Sequence, residues 1–169
     1  VSFDRVALLR AINVGGHGKL PMAELLQHFA SAGFKDAKTL LQSGNVVFAA
    51  RSKSNASLER ALEAKVGTDV IIRTAEEWSE IVAANPFRAE AKNDPARLHV
   101  MFLKNEPDAG FDWPGPERMK RIGQQLYIVY PNGAGTSKLT GALIERKLGT
   151  RGTARNWNTV MKIAALLEG

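Results

Sequence analysis

The chain contains no cysteine. That excludes a disulfide framework, a thiolate metal site and a cysteine nucleophile. Histidine is scarce: His17, His28 and His99 are the three. None sits at the helical spacing of a histidine pair that could hold zinc, and neither a metal nor a cofactor is expected. No apolar run approaches the ~20 residues needed to cross a bilayer. Val1-Ser2-Phe3-Asp4-Arg5 leads directly into a strand-like run. Basic, apolar and small-residue regions in series are absent there, so no export signal is expected and the cytoplasm is the expected compartment. Acid pairs suited to proton transfer are missing as well. Glu76, Glu77 and Glu80 read instead as a solvated helix start, where carboxylates meet the positive end of the dipole.

What is present is an ordinary globular composition. The 169 residues, 44% hydrophobic, suit one medium domain or two small ones sharing a core. The net charge of +6 is spread unevenly. Residues 1–73 carry ten Lys/Arg against six Asp/Glu, residues 74–116 four against eight, and residues 117–169 nine against three. The last third is the basic part, which suits either phosphate attraction or simple solubility.

Periodicity orders the elements. Arg5 to Asn13 alternates with both faces mostly apolar, as a central strand does. Pro21 suits the start of a helix with Met22, Leu25, Leu26 and Phe29 on its apolar side and Gly33 at its end. Ala37–Gln42 and Val46–Ala50 read as strands around a Ser43-Gly44-Asn45 turn. A helix follows through Leu58, Ala61, Leu62 and Val66, with Gly67 after it, then a strand over Asp69–Arg73. This is βαββαβ order, the split-βαβ or ferredoxin-like unit.

Thr74-Ala75-Glu76-Glu77 is a capping box, so a helix starts at Ala75. Leu98–Leu103 is a strand and Asn105–Pro116 a loop. Arg118–Ile122 and Gln125–Tyr130 form a hairpin. A helix capped by Thr136 runs to Leu148, a strand covers Thr150–Ala154, and a last helix covers about Trp157–Leu167. Leu58, Ala61 and Leu62 shifted by 81 meet Leu139, Ala142 and Leu143, and Gly67-Thr68 shifted by 82 meets Gly149-Thr150. The expectation is an α+β protein: a tandem pair of ferredoxin-like subdomains with antiparallel sheets and a C-terminal helix. The first spans residues 1–74, and the second, residues 75–169 with flanking helices, packs on it.

Leu8-Leu9-Arg10-Ala11-Ile12-Asn13-Val14-Gly15-Gly16, Gln42-Ser43-Gly44-Asn45-Val46-Val47-Phe48 and Thr153-Ala154-Arg155-Asn156-Trp157-Asn158-Thr159-Val160 together resemble a known family. Tyr130-Pro131-Asn132-Gly133 through Ser137-Lys138-Leu139 fits it too. The chain is similar to members of the bacterial family known as domain of unknown function 1697. The resemblance implies two ferredoxin-like subdomains and no established activity. Ala11 stands where that family usually has glycine, and Leu40 where a tyrosine is usual.

The candidate ligand-binding residues are Arg10, Asn13, Gly15, Gly16, Gln42, Ser43, Asn45, Ser137, Lys138, Arg155 and Asn156. Arg10, Asn13, Gln42, Asn45, Arg155 and Asn156 are polar groups inside or beside apolar elements, where burial demands a partner. They suit a ligand site or, equally, an internal polar network. Asn132 to Lys138 reads as a glycine loop entering a helix, with amides and Lys138 available to an anion. It is not a P-loop, because Ser137 precedes Lys138 and Leu139 follows it. Gly15-Gly16-His17-Gly18-Lys19 is a similar loop without the dinucleotide spacing. Base stacking of the RNA-recognition type is disfavoured: with Gly44 aligned to that motif's glycine, Asn45, Val47 and Ala50 fill the aromatic positions.

The expected function is binding of a phosphate-bearing or other anionic ligand, a small molecule or a nucleic-acid backbone. The alternatives are an enzyme of unknown reaction with a polar site between the subdomains, and a protein-interaction or self-association module. No membrane partner is expected, and the oligomeric state is left open.

Overall fold

The computed structural model describes residues 2–10, 20–40 and 44–168. The chain divides into two compact units, Val1–Glu80 with Ile163–Gly169, and Ile81–Lys162.

The first unit contains β1 (Arg5–Leu9), α1 (Met22–Ser31), β2 (Lys38–Leu40), β3 (Asn45–Phe48), α2 (Asn55–Val66) and β4 (Val70–Thr74), with α3 (Ala75–Ala83) starting in it. Its strands form an antiparallel sheet in the order β2-β3-β1-β4. With two crossover helices, that is the ferredoxin-like arrangement. Alternation explains the core. Ala7, Leu9, Val46, Phe48, Val70 and Ile72 point to the side on which Leu25 and Phe29 of α1 and Leu58 and Leu62 of α2 lie. Phe48 meets Phe29 edge-on at 5.3 Å between ring centres. Val6, Leu8, Val47 and Ile71 are buried on the other face. A strand buried on both faces reads as a continuous apolar run, as Val6–Leu9 does.

The second unit contains α4 (Arg88–Asn93), a 3-10 turn at Pro95–Arg97, β5 (Leu98–Leu103), β6 (Arg118–Ile122), β7 (Gln125–Val129), α5 (Gly141–Leu148) and β8 (Gly152–Asn156). From β8 the chain enters α6 (Trp157–Glu168). Its sheet has the equivalent order, β6-β7-β5-β8. One piece differs. Where the first unit has α1, the second has the loop 104–117, whose Phe111 and Trp113 pack on Met101, Leu126, Ile128 and their neighbours.

The strand registers define the duplication. Arg5 pairs with Thr74 and His99 with Asn156, so β1 matches β5 at a shift of 94 residues and β4 matches β8 at 82. The 82 shift also relates the helices. Gly67 and Gly149 end α2 and α5 in the left-handed conformation. Glu63 and Glu145 each turn a carboxylate onto the first amide of the next strand, Val70 and Gly152 respectively, at 2.9 Å. The shift of 81 matched leucines that are not equivalent.

Several boundaries differ from the pattern. The first strand stops at Leu9, and Ala11–Asn13 lie outside the described residues. β2 starts at Lys38 rather than Ala37, with Leu41 and Gln42 outside the described residues, and β3 covers Asn45–Phe48 rather than Val46–Ala50. The helix expected from Thr136 begins at Gly141 with Thr140 as its cap. The reason lies at Leu139: its carbonyl accepts the Tyr130 hydroxyl at 2.9 Å and its amide donates to Ser137 Oγ at 3.0 Å, so neither serves a helix. Thr136 Oγ1 donates back to the Asn132 carbonyl. The capping box at Thr74 forms as expected, Glu77 N donating to Thr74 Oγ1 and Thr74 N to Glu77 Oε1.

Candidate functional site

The described candidates fall into two groups, one in each unit. In the first unit Arg10 directly follows β1. Its amide donates to the Asp69 carbonyl at 3.0 Å, and its carbonyl accepts the Thr68 hydroxyl at 2.6 Å. Asn45 opens β3, opposite Leu8 and Leu40, and is fully buried. Its Nδ2 donates to the Leu40 carbonyl at 3.0 Å. Leu9 N donates to the Gly44 carbonyl at 2.9 Å. Antiparallel pairing therefore gathers Arg10, Gly44, Asn45 and Asp69 at the end of the sheet where β1 finishes. Asn13, Gly15, Gly16, Gln42 and Ser43 lie outside the described residues.

In the second unit Ser137, Lys138, Arg155 and Asn156 belong to the opposite end, by the equivalence of the sheets. There β8 finishes and the chain leaves β7 towards α5. Each has a defined setting. Ser137 Oγ donates to Glu117 Oε2 at 2.7 Å, and Trp113 Nε1 donates to the other oxygen of that carboxylate at 2.7 Å. These two bonds hold the Glu117 carboxyl below the usual carboxylate range. Lys138 is exposed. Asn156 Oδ1 accepts Thr159 N at 3.0 Å and so caps α6. Arg155 and Asn156 are strand neighbours, so their side chains leave on opposite faces of the sheet.

Arg155 is the most informative of the group. It is buried, and Nη1 donates to Thr153 Oγ1 at 2.6 Å and to the Ala154 carbonyl at 2.9 Å. Burial pushes its pKa down to about 10. Its equivalent at the 82 shift is Arg73, which was not among the candidates. Arg73 is buried too, and Nη1 donates to the carbonyl of its own preceding residue, Ile72, at 3.0 Å. Burial lowers its pKa against the opposing pull of Glu77 and Glu59. A buried arginine as the next-to-last residue of the last strand is thus a repeated element of this fold. Strand alternation could have found Arg73, because it interrupts the run Val70-Ile71-Ile72.

No group of three metal-ligating side chains occurs among the described residues, and none of their helices is long and apolar enough to cross a membrane. His99 meets Tyr130 edge-on at 5.1 Å, and burial lowers its pKa.

A family model described as "Protein of unknown function (DUF1697)" matches residues 4–112, well over half of the chain. The chain belongs to this family. The DUF1697 match includes the Arg10 and Asn45 group and stops before Ser137, Lys138, Arg155 and Asn156. None of the curated proteins matches the chain. Among solved structures, the conserved bacterial protein SP0830 from Streptococcus pneumoniae matches with a TM-score of 0.74 at 23% identity. The alignment covers 99% of this chain and 100% of that one. At that identity the likeness speaks for the fold alone.

Proposed function

We propose that this DUF1697 protein binds a phosphate-bearing or other anionic ligand at the end of the first sheet where β1 finishes. The observation that carries this reading is that the antiparallel register brings the backbone of Arg10 to the same end of the sheet as Gly44 and Asn45. The backbone of Arg10 is tied to Asp69 and Thr68, and Leu9 is tied to Gly44. These fixed points flank segments 11–19 and 41–43, which carry Asn13, Gly15, Gly16, Lys19, Gln42 and Ser43. By composition these segments and Arg10 supply glycines, amide side chains, a hydroxyl and two cations, the donor types that an oxyanion accepts from. Ser137 and Asn156 are accounted for by bonds within their own unit, and Arg155 by its buried bonds, so the reading leans on the first group.

The test is thermal stabilisation of the whole chain by inorganic phosphate, pyrophosphate and a nucleoside monophosphate. Stabilisation should rise with ligand concentration as linkage requires, and Arg10→Gln should remove it while keeping the melting temperature without ligand. A response shared equally by chloride at matched ionic strength defeats the reading. The nucleic-acid alternative calls for oligonucleotide affinity that falls linearly on a log–log plot against salt.

A further inference from the structure

The opposite end of the same sheet carries a second feature, independent of Arg10. A cavity of about 330 Å³ lies between the loop after α1 and the loop after β3. Phe34, Lys35, Ala37, Ala50, Arg51 and Lys53 line it. One carboxylate, Asp36, also faces it, which leaves two positive charges in excess.

The loop that presents Arg51 and Lys53 is held from beneath. Asp4 Oδ1 accepts Ala50 N at 2.8 Å and Asp4 Oδ2 accepts Arg51 N at 2.9 Å. Arg5 Nη2 donates to the Arg51 carbonyl at 3.0 Å and to the Lys53 carbonyl at 2.8 Å. Arg5 Nε donates to Asn55 Oδ1 at 3.1 Å, which anchors the guanidinium to the start of α2. The backbone of the loop is therefore fixed by Asp4 and Arg5. The side chains of Arg51 and Lys35 make no hydrogen bond or ion pair among the described residues, and Lys53 Nζ lies 5.4 Å from the centre of the Phe34 ring.

Arg51 is also the one non-glycine residue with positive φ among the described residues, at 58°. Glycine adopts that conformation without steric cost, whereas arginine is strained in it. Its backbone is held there by Asp4 and Arg5, while its side chain is exposed and makes no hydrogen bond or ion pair among the described residues.

We propose that this cavity binds a small phosphate ester. Its oxyanion is held by Lys35, Arg51 and Lys53, and its carbon skeleton rests on the part-exposed Ala37 and Ala49. Charge selects the anion, because the three cations surround a concave, partly apolar space. Size selects a small ligand, since the volume lies at the low end for ligand pockets. The absence of an open aromatic face selects an aliphatic or sugar ester over a nucleotide. The Phe34 ring is buried, with Phe48 at 4.9 Å and Lys53 over it, so no base can stack there.

The test is an NMR titration of the full chain with glycerol 3-phosphate, following the amides of Gly33, Lys35, Arg51 and Lys53. Saturable shifts at those amides are expected. Sodium chloride at equal ionic strength should not reproduce them. Arg51→Gly should weaken binding about tenfold or more, the loss of one charge-assisted contact, while leaving the melting temperature unchanged or raised. Lys53→Gln should weaken binding without the backbone change, and Arg10→Gln should leave it intact, which separates this site from the one proposed above. The proposal is overturned by non-saturating shifts, by equal shifts with chloride, or by undiminished binding in Arg51→Gly. It is also overturned if a single-stranded oligonucleotide saturates the same amides at lower concentration, which would make the cleft a nucleic-acid contact.

Discussion

The two units solve the same folding problem with different parts. Each has a four-stranded antiparallel sheet of equivalent order and a last strand that runs straight into a helix. Each has a buried arginine next to the end of that strand, and a glutamate that takes the strand's first amide. They differ in what covers the sheet. The first unit lays down α1, whose Leu25 and Phe29 are wholly buried. The second lays down the loop 104–117, which brings Phe111 and Trp113 to the equivalent core. They differ also at the first residue of the last strand. Val70 fills it in one unit. In the other, Gly152 lies so close to the Phe102 carbonyl that a β-carbon would stand 2.7 Å from that oxygen. A sheet face needs apolar cover, and either a helix or a tied loop can supply it.

That contrast yields the largest expected effect. Phe29→Ala removes a fully buried ring in contact with Phe48, and should cost about 3–5 kcal/mol. Trp113→Ala removes a half-buried ring whose indole is tied to Glu117, and should cost clearly less. Urea unfolding of both variants measures the difference. Equal losses would mean that the loop is as firm a cover as the helix, and the comparison of covers would fail.

The helices that follow the last strands give a smaller contrast. Thr74 caps α3 in a reciprocal box with Glu77, whereas Asn156 caps α6 with a single bond to Thr159 N. Thr74→Ala and Asn156→Ala should each cost about 1 kcal/mol. Asn156→Asp keeps the acceptor oxygen and should restore most of the loss. If Asn156→Asp stays as unstable as Asn156→Ala, the side chain serves something other than the cap. The pair thus tests whether a residue selected as a ligand candidate is a fold element.

Much of this was legible because local and global signals agreed. The capping box at Thr74, the glycine stops at Gly67 and Gly149, and the continuous apolar run Val6–Leu9 each state their role without tertiary context. The start of α5 was not legible. Leu139 sits four residues before Leu143, so helical spacing extends naturally back to it. Only the Tyr130 hydroxyl, nine residues earlier, claims its carbonyl. The short helix α4 was missed between Asn85-Pro86 and Asp94-Pro95, since six residues are too few for periodicity to register. Of the candidate site, the polarity of Asn45, Arg155 and Asn156 stood out in the sequence. Their partners did not, because a strand neighbour's carbonyl or a threonine two residues away leaves no composition signal. The cavity at Arg51 was equally invisible. Nothing in Ala50-Arg51-Ser52-Lys53 reveals that Asp4 and Arg5 hold that loop from beneath.

The smallest expected effect concerns the start of each central strand, where Arg5, the first residue of β1, is equivalent to His99, the second residue of β5. Arg5 is buried with its charge met by the Asp4, Arg51 and Lys53 carbonyls and by Asn55. His99 is half-buried against Tyr130, and burial holds its pKa below the ordinary value of 6.5. The folded state therefore prefers the neutral ring, while the unfolded chain takes up a proton first as the pH falls. Stability from this position is full above pH 6.5 and declines as the pH drops through 6.5 towards the depressed folded value. Glu90 and Glu117, whose pKa values are also lowered, lose their contribution only below the ordinary carboxylate value of 4.5. The interval between 4.5 and 6.5 thus belongs to His99 among these three shifted groups. Urea midpoints taken across it should fall more steeply for the natural protein than for His99→Phe, and the two should run parallel above it. His17 and His28 remain in both chains, so the difference between the curves isolates His99. Should the curves run parallel throughout, the imidazole is as well solvated folded as unfolded, and its equivalence to a buried arginine is one of backbone position only.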